Sequence, residues 1–149
     1  MEIRKVENTN RDFLELCKKL DDTHNTLVAE QRQPNANCCI GNEIYTNVYI
    51  MYDEETATGC IAFTDVKNEI VEIARVYVCE EYRKQGIATK LFENVEKIAK
   101  KNGAKILNLD TYERLSDAVK LYKKLGFEIV APFPEIKDSP YSICMSKKI

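Results

Sequence analysis

Between Glu69 and Cys79 the chain carries a run of apolar, mostly β-branched residues: Ile70, Val71, Ile73, Val76 and Val78. A few residues later the period changes. Ile87, Ala88, Leu91, Phe92, Val95, Ile98 and Ala99 recur at the spacing of an amphipathic helix. The first run predicts a buried strand and the second a helix. Between them Tyr82-Arg83-Lys84-Gln85-Gly86 makes a strand-to-helix turn with two cations and a glycine. A helix N-terminus exposes unpaired N–H groups and a partial positive charge. A glycine there lets an anion approach the backbone closely. The turn is thus a candidate cradle for a diphosphate.

The same pattern reading extends along the chain. Residues 2–6 predict a short strand. Asn10 or Thr9 caps a helix with the apolar face Phe13, Leu16, Cys17 and Leu20. Residues 23–32 predict a second short helix. Pro34, three asparagines and Gly41 mark Gln33 to Asn42 as a loop. Ile44–Met51 and Gly59–Phe63 predict paired strands, with a turn at Asp53-Glu54-Glu55. The helix after the glycine turn closes with Lys97, Lys100 and Lys101 followed by Asn102-Gly103. Lys105–Asp110 predicts a strand. A helix around Ala118 is expected to be capped by Ser116 or Asp117 and stopped by Gly126. Phe127–Val130 and Tyr141–Ser146 predict the last strands, separated by a loop holding Pro132, Pro134 and Pro140. The order β-α-α-β-β-β-α-β-α-β-β predicts a mixed α/β sheet.

Composition narrows the function classes. At 149 residues the chain fits one domain, 1–149. Its net charge of −2 argues against nucleic acid as the main partner, where a basic face is expected. No apolar run is long enough for a membrane span, and Met1-Glu2-Ile3-Arg4-Lys5 lacks a signal core, so a cytoplasmic protein is expected. The six cysteines (17, 38, 39, 60, 79 and 144) form no C-x-x-C pair. Cys60, Cys79 and Cys144 sit in apolar strand-like runs and read as buried reduced thiols. His24, Cys38 and Cys39 lack standard zinc spacing, and no metal is expected.

The turn has neither the P-loop nor the dinucleotide-binding pattern. It has R-x-x-G-x-A, as Arg83, Gly86 and Ala88. Downstream stands Ala118-Val119-Lys120-Leu121-Tyr122-Lys123-Lys124-Leu125-Gly126-Phe127. Together these resemble the two motifs of the GNAT superfamily of N-acetyltransferases, [QR]-x-x-G-x-[GA] and A-x-x-L-Y-x-K-x-G-F. The resemblance covers roughly residues 58–130. It implies the GNAT fold: six to seven strands in a mixed sheet with about four flanking helices. It implies acetyl-CoA as co-substrate and an amine of a small molecule or peptide as acceptor, with direct transfer of the acetyl group. Arg83, Lys84, Gln85, Gly86, Ile87 and Ala88 would then line the diphosphate. Val76, Tyr77 and Val78 would offer strand backbone to the pantetheine arm and the thioester carbonyl. Dimerisation is a habit of the family. A non-catalytic acyl-CoA-binding or interaction module of the same fold is the competing class.

Acyl transfer to an amine has physical demands that locate further candidates. An amine of pKa about 10.4 is neutral in about one molecule in 2,500 at pH 7, a cost of about 4.6 kcal/mol. Glu72 interrupts the most apolar strand, where a carboxylate is costly unless paired or open to a cavity. It matches the place of a general base in several GNAT enzymes; the other reading is an ion pair with Arg75 or a neighbouring lysine. Tyr122 matches the family's tyrosine that protonates the departing thiolate; the other reading is a core tyrosine with its hydroxyl at the surface. Leu115 stands where many relatives have asparagine. His24 and Gln31 are expected to border the acceptor pocket. Asp21, Asp22, Glu30, Glu135 and Asp138 carry charge that would attract a cationic amine or simply face water.

Overall fold

The computed structural model of the chain describes residues 1–28, 44–137 and 139–149. The elements in order are β1 (Glu2–Val6), α1 (Arg11–Val28), β2 (Asn47–Asp53), β3 (Thr56–Phe63), β4 (Ile70–Val78), α2 (Ile87–Lys101), β5 (Ile106–Tyr112), α3 (Ser116–Lys124), β6 (Glu128–Val130) and β7 (Ser142–Lys148). Short 3-10 turns lie at Glu80–Tyr82 and Pro134–Ile136. All seven strands join one sheet in the order β1-β2-β3-β4-β5-β7-β6. Every pairing is antiparallel except β4 with β5, which is parallel. The expected mixed sheet is therefore present, with three α-helices among the described residues.

Strand alternation sends side chains to two different layers. Val71, Ile73, Leu107 and Leu109 pack with Leu91, Phe92 and Val95 of α2 and with Tyr122 of α3. Val48, Ile50, Cys60 and Ala62 pack with Phe13, Leu16 and Cys17 of α1 on the opposite face. Helix α2 buries Ile87, Leu91, Phe92, Val95 and Ala99. Each large apolar side chain of that stripe contributes about 1.5–3 kcal/mol on burial. That stripe fixes where the N-terminus of α2 points.

Asn10 caps α1 as expected: its Oδ1 accepts the N–H of Phe13 at 3.1 Å. Four local expectations are corrected. Helix α1 runs unbroken through Val28, so no separate helix begins at residue 23; nothing between 23 and 28 is a strong breaker. Helix α3 is preceded by Leu115 at the N-cap, with no side-chain cap. Ser116 and Asp117 already lie inside the helix. The strand after the loop starts at Asn47 rather than Ile44, and the last runs to Lys148 rather than Ser146. Gln31, Glu30, Cys38, Cys39 and Asp138 lie outside the described residues. Among the described cysteines, Cys17, Cys60, Cys79 and Cys144 are buried free thiols.

Candidate active site

The sheet opens at its parallel joint. Strands β4 and β5 pair through Ile70–Ile106, Val71–Leu107 and Glu72–Asn108 and no further. Beyond Glu72, β4 stays on β3, with Ala74 opposite Ala62 and Val78 opposite Gly59. Beyond Asn108, β5 stays on β7 as far as Tyr112 opposite Ser142. The two strands therefore part at their C-terminal ends. This is the end of a parallel sheet where crevices form and ligands enter.

The backbone of β4 is irregular where it leaves β5. The register to β3 shifts between Cys60 and Ala62, and Arg75 has φ 56°. This is a β-bulge, two residues opposing one, and a positive φ is costly for arginine. The Arg75 carbonyl accepts a hydrogen bond from the Cys60 thiol at 3.3 Å. The two polar groups of a trans peptide point in opposite directions. The next N–H, that of Val76, is thereby turned away from Cys60 toward the open side. At the strand end the Cys79 N–H donates to Thr58 of β3 at 2.8 Å. Alternation then puts the polar groups of Val78 on the open edge. There the Val78 carbonyl accepts Arg83 Nε at 2.9 Å. The Arg83 guanidinium also lies 5.6 Å from the Tyr77 ring centroid.

The turn beyond β4 is built from left-handed residues. Lys84 has φ 63° and Gly86 has φ 79°. Gly86 is the N-cap of α2 and contributes no side-chain cap; the first turn carries no acidic residue. Among the described residues no side chain caps the N–H groups there, and Arg83, Lys84, Gln85 and Gly86 are exposed around them. A Cβ added at Gly86 would meet nothing within 4 Å, so backbone conformation, not crowding, demands glycine. Gly59 is the opposite case. A Cβ there would lie 2.9 Å from the Tyr77 carbonyl and 3.2 Å from Ile87. It seats β3, β4 and the start of α2 against one another.

Glu72 and Asp110 share the face opposite the α2 layer, since Val71, Ile73, Leu107 and Leu109 face α2. Glu72 is exposed, and among the described residues its carboxylate takes no ion pair; its backbone N–H donates to Thr64 Oγ1 and its carbonyl accepts the Thr64 N–H, each at 3.0 Å. The expected alternative partner, Arg75, instead pairs with Asp21 of α1 at 3.4 Å. Burial raises the Asp110 carboxyl above its ordinary range, and the nearby charge of Glu72 adds to the shift. Asp110 remains reachable by solvent, as a group on a concave wall does. Burial also raises the Tyr45 hydroxyl, with Glu72 and Asp110 adding to it. His24 is half-buried and stands edge-on to Tyr112 with ring centroids 5.7 Å apart.

Tyr122 is only 8% exposed and sits among Phe92 and Phe127, at 5.6 Å and 6.2 Å between centroids. Burial, with a smaller push from Asp110, holds its hydroxyl well above the usual tyrosine range. It is therefore a neutral donor at any working pH. Leu115, in the place of the usual asparagine, has no side-chain donor; its carbonyl receives the Val119 N–H at 3.1 Å. Asp110, Tyr45, the Asp21–Arg75 pair and Gly59 were not singled out as site residues by motif or period. Only the alternation of Asp110 with buried Leu107 and Leu109 hints at its place.

Residues 11–127 match the model of the Acetyltransferase (GNAT) family. The chain belongs to the GNAT family. It is 27% identical over 100 residues to the uncharacterized N-acetyltransferase YsnE of Bacillus subtilis, covering 66% of each chain. Across the first curated relatives the GNAT chain matches, it spans 27% to 66% of their length. The fold is similar to that of a Klebsiella pneumoniae protein assigned as an acyl-CoA N-acyltransferase. The TM-score is 0.82 at 24% identity, over 99% of this chain and 96% of that one. It is also similar to the PaiA N-acetyltransferase of Thermoplasma acidophilum, solved with coenzyme A. There the TM-score is 0.75 at 19% identity, over 99% and 98% of the chains. Among the described residues no helix is long and apolar enough to cross a membrane. Among the same residues no cluster of His, Cys, Asp or Glu is suited to a metal.

Proposed function

We propose that this GNAT protein transfers the acetyl group of acetyl-CoA directly to an amine at the mouth of the gap between β4 and β5. The observation that carries the reading is the parting of those strands beside an uncapped helix N-terminus. Coenzyme A bound to the Thermoplasma neighbour of the same fold supports acetyl-CoA as the donor. The diphosphate would rest on the N–H groups of Gly86, Ile87 and Ala88, with Arg83, Lys84 and Gln85 around it. The pantetheine arm would run along the open edge of Val76, Tyr77 and Val78.

The chemistry follows from where the groups lie. Glu72 takes a proton from the acceptor ammonium, directly or through water. The neutral nitrogen attacks the thioester carbon, and the C–N bond forms. Charge grows on the carbonyl oxygen, where the Val76 N–H stabilises it. The C–S bond then breaks. Tyr122 gives its proton to the thiolate, whose thiol has a pKa of roughly 8.5. The nitrogen's second proton and the proton held by Glu72 pass to solvent, from which Tyr122 regains its own. Glu72 and Asp110 lend the acceptor side a negative field, which favours a cationic amine over an anionic one. His24 borders the same side.

A screen of amines with acetyl-CoA, read by release of free thiol, tests the reading. At least one amine is expected to raise thiol release above hydrolysis. Glu72→Gln is expected to lower that rate about 100-fold, within the range for general bases, with acetyl-CoA affinity unchanged. Tight acetyl-CoA binding with no acceptor from any amine class would favour a non-catalytic acyl-CoA-binding module.

A further inference from the structure

The Val76 N–H has a direction only because the peptide before it is held. One backbone dihedral and two contacts hold Arg75 and that peptide, drawing on β4, β3 and α1. The left-handed φ of 56° at Arg75 makes the bulge. The buried Cys60 thiol of β3 donates to the Arg75 carbonyl. The Arg75 guanidinium reaches across to Asp21 of α1 at 3.4 Å, with the two side chains only 16% and 9% exposed. An arginine with a positive φ is an unfavourable choice unless its side chain is fixed elsewhere. Glycine would adopt the same backbone at no cost. The side chain must therefore do something that the bulge alone does not need.

We infer that Asp21, Arg75 and Cys60 are positioning residues that aim the Val76 N–H at the thioester carbonyl, tying helix α1 to the reacting centre. The inference rests on the proposed seating of acetyl-CoA in the gap. Burial keeps the Cys60 thiol well above its ordinary range, so it remains a donor throughout the neutral range. The ion pair supplies what the weak S–H donor does not: a second fixed point on the same residue, anchored in α1 and not in the sheet. Because α1 also carries His24, movement of that helix by an acceptor would be felt at the Val76 peptide.

The test needs no acceptor. Acetyl-CoA isotopically labelled at its carbonyl carbon is bound to the protein, and its C=O stretch is read by difference infrared spectroscopy. Binding to the wild type is expected to move the stretch to lower frequency, as a hydrogen-bonded, polarised carbonyl requires. Asp21→Asn and Arg75→Gly are expected to return it at least halfway to its value in water. Asp21→Glu should keep most of the shift. Arg75→Gly is chosen because glycine suits the left-handed backbone, so its fold and its acetyl-CoA affinity by calorimetry should be retained. An unshifted carbonyl in the bound wild type, or an equal shift in the wild type, Asp21→Asn and Arg75→Gly, would overturn the inference alone. Absence of acetyl-CoA binding to the wild type would overturn the proposed function, and this inference with it.

Discussion

Tyr122 combines two requirements in one side chain. It is packed, with Phe92 and Phe127 against its ring, and the proposed reaction asks it to keep a proton to give. Burial meets both by disfavouring the phenolate. This links the residue to stability with a definite sign. A folded-state pKa above the unfolded value of about 10 contributes stability that is complete below about pH 10. That contribution is lost as pH rises further, by up to about 1.4 kcal/mol per pH unit. Urea unfolding between pH 8 and pH 11 should therefore show the wild type losing more stability than Tyr122→Phe; parallel curves would contradict the assignment. Tyr45, Tyr52 and Tyr77 are also raised, Tyr52 to about 12, so only the difference between the two proteins is informative. Tyr122 was singled out by its motif. Asp110 was not, because its meaning depends on Glu72 standing across a parallel joint.

At the level of elements, Gly59 of β3, opposite the end of β4, and Gly86 before α2 serve opposite ends and predict different failures. Gly86 is conformational. Alanine there is expected to cost about 1–2 kcal/mol from its φ of 79°. Its methyl would stand in the space assigned to the diphosphate, so calorimetry should show acetyl-CoA binding weakened about tenfold or more, about 1.4 kcal/mol. Gly59 is steric. Alanine there meets the Tyr77 carbonyl at 2.9 Å, and overpacking of this kind costs about 1–3 kcal/mol. Thermal unfolding should register that loss; an unchanged melting temperature in Gly59→Ala would mean the three elements are not locked at that point. The start of α2 was readable from sequence because glycine, cations and a 3.6-residue period are all local. The cap of α3 was misread for the same local reason. Serine and aspartate favour caps, but the chain turns at Leu115, one residue earlier.

At the level of the molecule, the succession of strands and helices along the chain and the mixed sheet were legible from the alternation of apolar positions; the order of strands within the sheet was not. The parting of β4 from β5 left no trace in the residue pattern, and only the family resemblance implied it. It arises from which strand each keeps as neighbour, β3 on one side and β7 on the other, and strand partners are set by contacts far apart in the chain. The Asp21–Arg75 pair spans 54 residues and left no local trace. The account as a whole depends on acetyl-CoA lying in that opening with its diphosphate on the turn before α2. A titration of nitrogen-15-labelled protein with acetyl-CoA, followed amide by amide in two-dimensional NMR, examines this directly. The largest shifts are expected at Val76, Val78, Gly86, Ile87 and Ala88, with β1 and β2 unmoved. Shifts confined to another surface, or none at millimolar acetyl-CoA, would contradict the account.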